Sequence, residues 1–123
     1  LLKQFLRGEA RLEGAGVRML NMIHRDDLIR AIIAALERGR AGAIYNAVDN
    51  EPVSQRDFFQ WLAAQLGQPL PPVVAEDAAA PRKRGLTNKR ISNHKLRTEL
   101  GFSFTHPDFR SGYSAEIQRL SAA

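Results

Sequence analysis

Met22-Ile23-His24-Arg25-Asp26-Asp27-Leu28 is the stretch whose reading decides the fold. Met22 and Ile23 close an extended run that begins at Val17. Beyond the charged residues the apolar spacing changes, and Leu28, Ile29, Ile32, Ile33 and Leu36 recur at helical intervals. Such a change of period across one turn reads as a strand running into a helix. Asp26 or Asp27 is placed to cap that helix, because a carboxylate oxygen accepts from the free N–H groups of the first turn and suits the positive end of the helix dipole. Arg38 near the far end and Gly39 after it mark the stop. The helix carries one broad apolar face and is expected to pack against something substantial.

Upstream, the turn-forming Glu13-Gly14-Ala15-Gly16 separates the extended run from a helix end over Leu2 to Arg7. Downstream, Ala43 to Val48 reads as a second short strand, and Asp49-Asn50-Glu51-Pro52 as the turn that ends it. Ser54 opens another helix with Asp57 three residues on, in the manner of a capping box, and Phe58, Phe59, Leu62 and Leu66 form its apolar stripe before Gly67. Repeated prolines and alanines make Gln68 to Leu86 a long irregular connection. Ser92 caps a short helix that reaches Leu100, and a last helix runs from about Asp108 to Leu120.

With 123 residues, 44% hydrophobic and 25% charged, the composition is that of one ordinary globular domain or a piece of one. The absence of cysteine excludes disulfides, thiolate zinc sites and cysteine nucleophiles, and fits a reducing, cytoplasmic setting. No membrane partner is expected, since the longest apolar stretch, Leu28 to Leu36, is interrupted by Arg30. The chain opens at Leu1 without an initiator methionine, which raises the expectation of a trimmed domain. Its net charge of +5 has a location: Arg82, Lys83, Arg84, Lys89, Arg90, Lys95 and Arg97 fall in a segment with no acidic residue. An acidic partner is open to such a patch, nucleic acid included. The run holds no aromatic residue for base stacking, so nucleic acid is the weaker candidate.

Two short strands do not make an independent sheet. Either they join a larger sheet encoded elsewhere, or they form a small one buttressed by helices. In the first case the unpaired strand edges favour association between copies.

The order Asn21-Met22-Ile23-His24-Arg25-Asp26-Asp27-Leu28, Gly42-Ala43-Ile44-Tyr45-Asn46, Glu51-Pro52-Val53-Ser54 and Lys89-Arg90-Ile91-Ser92-Asn93, followed by Leu96, Leu100-Gly101-Phe102, Pro107 and Gly112, resembles the C-terminal portion of an extended short-chain dehydrogenase/reductase. Within that superfamily it is similar to the NAD-dependent epimerase/dehydratase group, and to its sugar-nucleotide-epimerase-like members. The resemblance runs from about Gly8 to Leu120. It implies an α/β fold, the C-terminal part of a Rossmann-type enzyme, mostly helical with two or three short strands. Residues 1–123 would form a single substrate-binding domain or fragment from which the nucleotide-binding N-terminal portion is absent.

Such enzymes hold the dinucleotide on a glycine-rich strand-turn-helix and use a Tyr-x-x-x-Lys pair. Gly14-Ala15-Gly16 has no third glycine and no following helix in its pattern. Tyr45 is followed four residues on by Asp49, and Tyr113 by Ile117. No catalytic or cofactor-binding residue is therefore expected in this chain, although the resemblance implies NAD or NADP in the parent protein. The resemblance also implies a phosphate-contacting arginine at the position held by Leu20. Arg18 lies two residues earlier, on the same face of an extended strand. The substrate-binding candidates are Arg18, Asn21, His24, Asn46, Lys89 and Arg90. Asn21 reads equally as a local backbone partner, His24 as an organiser of the strand-to-helix turn, and Asn46 as a residue fixing the end of the second strand. Lys89 and Arg90 would reach an anionic group from the long connection, against a default of plain solvent exposure. His24, His94 and His106 are scattered in the sequence without a helical His-x-x-x-His pair, so no metal site is expected.

Two functions follow. The first is the substrate-binding portion of an NAD(P)-dependent epimerase/dehydratase or reductase, taking a sugar-like or anionic small molecule and inert without its nucleotide-binding portion. The second is a stand-alone binding module using the basic 82–97 segment.

Overall fold

The computed structural model describes residues 1–75 and 88–121. Their order is α1 (Leu2–Leu6), β1 (Leu12–Glu13), β2 (Met19–Leu20), α2 (Arg25–Arg38), β3 (Val53–Ser54), α3 (Gln55–Leu66), β4 (Val73–Val74), α4 (His94–Glu99) and α5 (Phe109–Ser121). Helices dominate and the strands are short, as the sequence reading holds. The strands number four among the described residues, in two separate pairs. The chain divides into two compact units, one formed by Leu1–Leu20 with Val53–Lys89 and the other by Asn21–Pro52 with Arg90–Ala123.

In the first unit α3 supplies most of the core. Phe58, Phe59 and Leu62 are fully buried, with Phe58 and Phe59 tilted against one another at 5.2 Å and Phe5 of α1 stacked on Phe59 at 6.1 Å. Ser54 caps α3 as its sequence position predicts, its hydroxyl oxygen accepting from the Asp57 N–H at 3.1 Å. Gly67 ends the helix in the left-handed conformation, φ 61° and ψ 35°. β1 runs parallel to β4, Leu12 opposite Val73, and β2 runs antiparallel to β3, Leu20 opposite Val53. The buried Gln55 side chain stiffens this arrangement by accepting from the Glu13 N–H at 2.9 Å.

Here the expected strands are corrected. Of Val17 to Ile23 only Met19–Leu20 enters a ladder, and its partner is Val53–Ser54, where the sequence pattern reads Ser54 as a helix start and leaves Val53 between turn and helix. Ser54 serves both roles because its backbone is still extended, φ −68° and ψ 151°, while its side chain caps α3. Ala43 to Val48 joins no ladder among the described residues. It keeps the period of an extended strand, with Ile44 and Asn46 exposed between the more buried Ala43, Tyr45 and Ala47. Within Gln68 to Leu86, β4 occupies Val73–Val74, and residues 76–87 lie outside the described residues.

The second unit is built on α2. Its buried side is the small-residue face Ala31 and Ala34, packed with Leu96, Leu100 and Phe102, and with Ala35, Tyr45 and Phe104 at the margin. The large apolar residues point elsewhere. Ile29 and Ile32 are 50% and 52% exposed, Leu36 is 82% exposed, and Leu28 and Ile33 are exposed as well. Within the described residues, the face expected to pack against something substantial is open.

Candidate functional site

The turn into α2 is organised by His24, not by the aspartates beside it. His24 is the N-cap, with extended backbone, and its Nδ1 accepts from the Asp26 N–H at 3.1 Å. An accepting Nδ1 leaves the proton of a neutral imidazole on Nε2, which lies 3.9 Å from the Glu116 carboxylate. The ring packs on His106 at 4.1 Å between centroids, so two histidines far apart in sequence meet here. Gly112 closes the other side, where a Cβ would come within 3.3 Å of the His24 ring.

Asp27, expected as an alternative cap, instead reaches inward. Its side chain is fully buried and accepts from the Thr105 N–H at 2.9 Å, the His106 N–H at 2.8 Å and Arg30 Nη1 at 2.9 Å. Burial by itself raises a carboxyl pKa. Here the two backbone N–H groups and the Arg30 guanidinium outweigh it and hold Asp27 below its ordinary value. Asp27, Ala31 and Ala34 share one helical face, and that small-residue spacing is the sequence signal that marks Asp27 as a clamp.

A second feature of this unit is a row of asparagines. Asn21 Oδ1 accepts from the Ile91 N–H at 2.8 Å, and Asn46 Nδ2 donates to the Ser92 carbonyl at 3.2 Å. Asn93 is buried; its Nδ2 donates to the Val48 carbonyl at 2.9 Å and to Asn50 Oδ1 at 2.8 Å, while its Oδ1 accepts from Arg97 Nε at 2.9 Å. Residues 91–93 are thus tied at three consecutive positions to Asn21 and to the 46–50 segment. Arg90 stands exposed at the start of this fastened stretch.

The remaining candidates lie in the first unit. Arg18 turns toward β1, its Nε 3.8 Å from a Glu13 carboxylate oxygen, so an anionic ligand would compete with that pairing. Lys89 is exposed. Leu20, at the place where the resemblance implies a phosphate-contacting arginine, is buried in β2. Of the basic segment, Lys95 lies over the Tyr45 ring at 5.2 Å and Arg97 is held by Asn93, while Arg82, Lys83 and Arg84 fall outside the described residues.

One buried acid stands apart electrostatically. Asp49 is pushed up to about 6, first by burial and then by the negative charges of Asp108, Glu51 and Asp27, against the lowering effect of the Glu51 N–H that it accepts at 3.0 Å. Its own N–H donates to the Met22 carbonyl at 2.6 Å, which ties the turn after Val48 to the entry of α2.

The residues in hand do not fit a dinucleotide. The turn at Gly14 and Gly16, both at positive φ, leads into the strand Met19–Leu20 and offers no helix N-terminus to a pyrophosphate. Tyr45 accepts from the Arg40 N–H at 3.2 Å through its hydroxyl, and burial pushes the Tyr113 phenol up, away from the lowered pKa that proton exchange requires. Among the described residues no three histidine, aspartate or glutamate side chains group as metal ligands. No helix among them is long and apolar enough to cross a membrane.

No family model matches the chain. The 3-diazoavenalumate denitrifying reductase of a Streptomyces species is 34% identical over 118 residues, covering 90% of this chain and 38% of that protein. A functionally unknown conserved protein from Silicibacter pomeroyi superposes with a TM-score of 0.80 at 30% identity, covering 96% of this chain and 43% of its own. A dTDP-glucose 4,6-dehydratase from Streptomyces venezuelae, solved with NAD bound, superposes with a TM-score of 0.73 at 26% identity, covering 95% of this chain and 35% of its own. The chain therefore spans well under half the length of these relatives. Its fold is that of the C-terminal part of the extended short-chain dehydrogenases/reductases of the NAD-dependent epimerase/dehydratase group, to which it is similar.

Proposed function

We propose that residues 1–123 form the substrate-binding portion of an NAD(P)-dependent epimerase/dehydratase or reductase, and that this portion is not catalytic alone. The observation that carries the reading is the extent of the match: nearly all of this chain superposes on about a third of an NAD-bearing dehydratase. The open face of α2 supports it. Leu28, Ile29, Ile32, Ile33 and Leu36 on α2, and Ile44 at 78% exposure on the extended segment after it, are large aliphatic side chains left open to water, and contiguous apolar surface of this kind marks an interaction site. A nucleotide-binding portion, with a sheet edge for Ala43 to Val48 and a face for α2, suits that surface. Without it, copies of the chain are expected to associate through the same surface.

The substrate is a small molecule bearing a sugar-like or anionic group. Arg18, Asn21, His24, Asn46, Lys89 and Arg90 are the residues of this chain assigned to its side of the site. The cofactor, NAD or NADP, belongs to the parent protein. A cytoplasmic setting is part of the same proposal, supported by a sequence without cysteine.

The test is a chimera in which this chain replaces the matching 38% of the Streptomyces reductase. NAD(P)H binding, read by fluorescence, is expected in the chimera and not in the isolated chain. A chimera that folds and holds cofactor but binds none of the reductase's substrate class nor any nucleotide-sugar would count against the assignment.

A further inference from the structure

The asparagine row separates the candidate residues into two kinds. Asn21 and Asn46 are placed on the substrate side, but their side chains are already engaged: Asn21 Oδ1 holds the Ile91 N–H and Asn46 Nδ2 holds the Ser92 carbonyl. Each bond grips the backbone within two residues of Arg90, one through a donor and one through an acceptor. Asn93 fixes the next residue to Val48 and Asn50. Across residues 90–93 the only charge is that of Arg90, and its side chain is exposed. A guanidinium on a flexible strand would lose backbone as well as side-chain freedom on meeting an anion. On a backbone held at the next two residues and followed by the side-chain anchor of Asn93, the backbone part of that cost has already been met in folding. Arginine is also the side chain whose planar fork gains most from fixed orientation, because two of its N–H groups can meet two oxygens of a carboxylate or phosphate at once.

We propose that Asn21 and Asn46 are positioning residues that set the direction of Arg90, and that Arg90 is the group that meets the anionic part of the substrate. This rests on the reading that Arg90 lies on the substrate side. The ligand chemistry is a planar or tetrahedral oxyanion, from either a carboxylate or a phosphate.

The experiment titrates inorganic pyrophosphate, and separately benzoate, into the full chain, followed by NMR at the Arg90 side-chain Nε–H and at the Ile91 amide. At least one of the two probes should bind, and which one does identifies the oxyanion. Arg90→Ala is expected to weaken binding about tenfold or more, the scale of one charge-assisted pair. Asn21→Leu and Asn46→Leu, which keep the volume but lose the acceptor or donor, are each expected to weaken it about threefold or more. In the Arg90→Ala background the same two changes should add nothing, since their effect passes through Arg90. If they weaken binding equally with and without Arg90, or leave it unchanged with Arg90 present, the positioning role is overturned. If Arg90→Ala leaves the affinity for both probes intact, or neither probe binds, the underlying placement of Arg90 fails instead. Should a leucine variant not fold, Asn21→Ser and Asn46→Ser carry the same comparison.

Discussion

Replacing Asp27 with asparagine changes one atom of a buried clamp and tests what holds the second unit together. In the native chain both carboxylate oxygens are used, Oδ1 for the Thr105 N–H and Arg30, Oδ2 for the His106 N–H. Asparagine retains a single oxygen and sets an NH2 group where the other stood. One of the two backbone donors then faces a donor in a place with no exposed side-chain surface. Leaving a buried donor unpaired costs roughly 1–3 kcal/mol, and the lost ionic character of the remaining bonds adds to it, for a total of about 3 kcal/mol. The Arg30 share is small because that side chain is half exposed to solvent. For a chain of this length the loss corresponds to a melting midpoint about 10–15 °C lower. Circular dichroism melts across pH provide the assay, and they carry a second signature. A carboxylate held below its unfolded value contributes stability that is present above about 4, near that value, and is lost as pH falls through the folded pKa. Asp27→Asn should therefore flatten the acid limb of the stability curve as well as lower it. A shift under about 1 kcal/mol, with the acid limb unchanged, would show that Asp27 is not the clamp its bonds indicate.

Asp49 behaves with the opposite sign. Its folded pKa of about 6 lies above the ordinary 3.8, so the stability it lends is complete below the lower value and is lost as pH rises through the higher one. Asp49→Asn keeps an acceptor for the Glu51 N–H and should stabilise the chain by roughly 2–3 kcal/mol at pH 8, with little change at pH 4, as measured by urea unfolding. Equal stability of variant and parent at pH 8 would remove this argument. Ser54→Ala deletes the cap of α3 and should cost about 1 kcal/mol in the same assay; a neutral result would mean that water replaces the hydroxyl without loss. The paired substitution Ile32→Asp and Ile33→Asp in the open face of α2 should leave the melting midpoint nearly unchanged while raising the monomer fraction in sedimentation velocity. A large drop in midpoint would mean that the face is part of the folded core.

Much of the fold was legible because its signals are local. Ser54, Gly67, Gly39 and the spacing of Phe58, Phe59 and Leu62 set the ends and inner face of the helices within a few residues of chain. The pairing of Met19–Leu20 with Val53–Ser54 was not legible, because a two-residue ladder leaves no period to read and its partner lies beyond an intervening helix. The inner face of α2 misled for a different reason. Hydrophobic spacing shows which side must be covered eventually, and among the described residues that side is open, while the alanines Ala31 and Ala34 take the contact with α4. At the candidate site, His24 was legible as the organiser of its turn, since its place between strand and helix is a sequence fact. Its contact with His106 and the spending of Asn21 on the Ile91 amide span seventy or more positions, and that of Asn46 on the Ser92 carbonyl spans 46, so nothing in local spacing announces them; for Asp27 the spacing with Ala31 and Ala34 shows the inward face but not its partners at Thr105 and His106.

A substrate-binding portion of the proposed kind leaves the cofactor to the rest of the parent protein. Calorimetric titration of NADH and NADPH into the isolated chain measures this. No saturable binding tighter than about 1 mM is expected, since the Gly14–Gly16 turn opens no helix and neither Tyr45 nor Tyr113 is followed four residues on by a lysine. A dissociation constant of about 1 μM or lower for either nucleotide would place a cofactor site within the chain and end the reading of it as a substrate-binding portion.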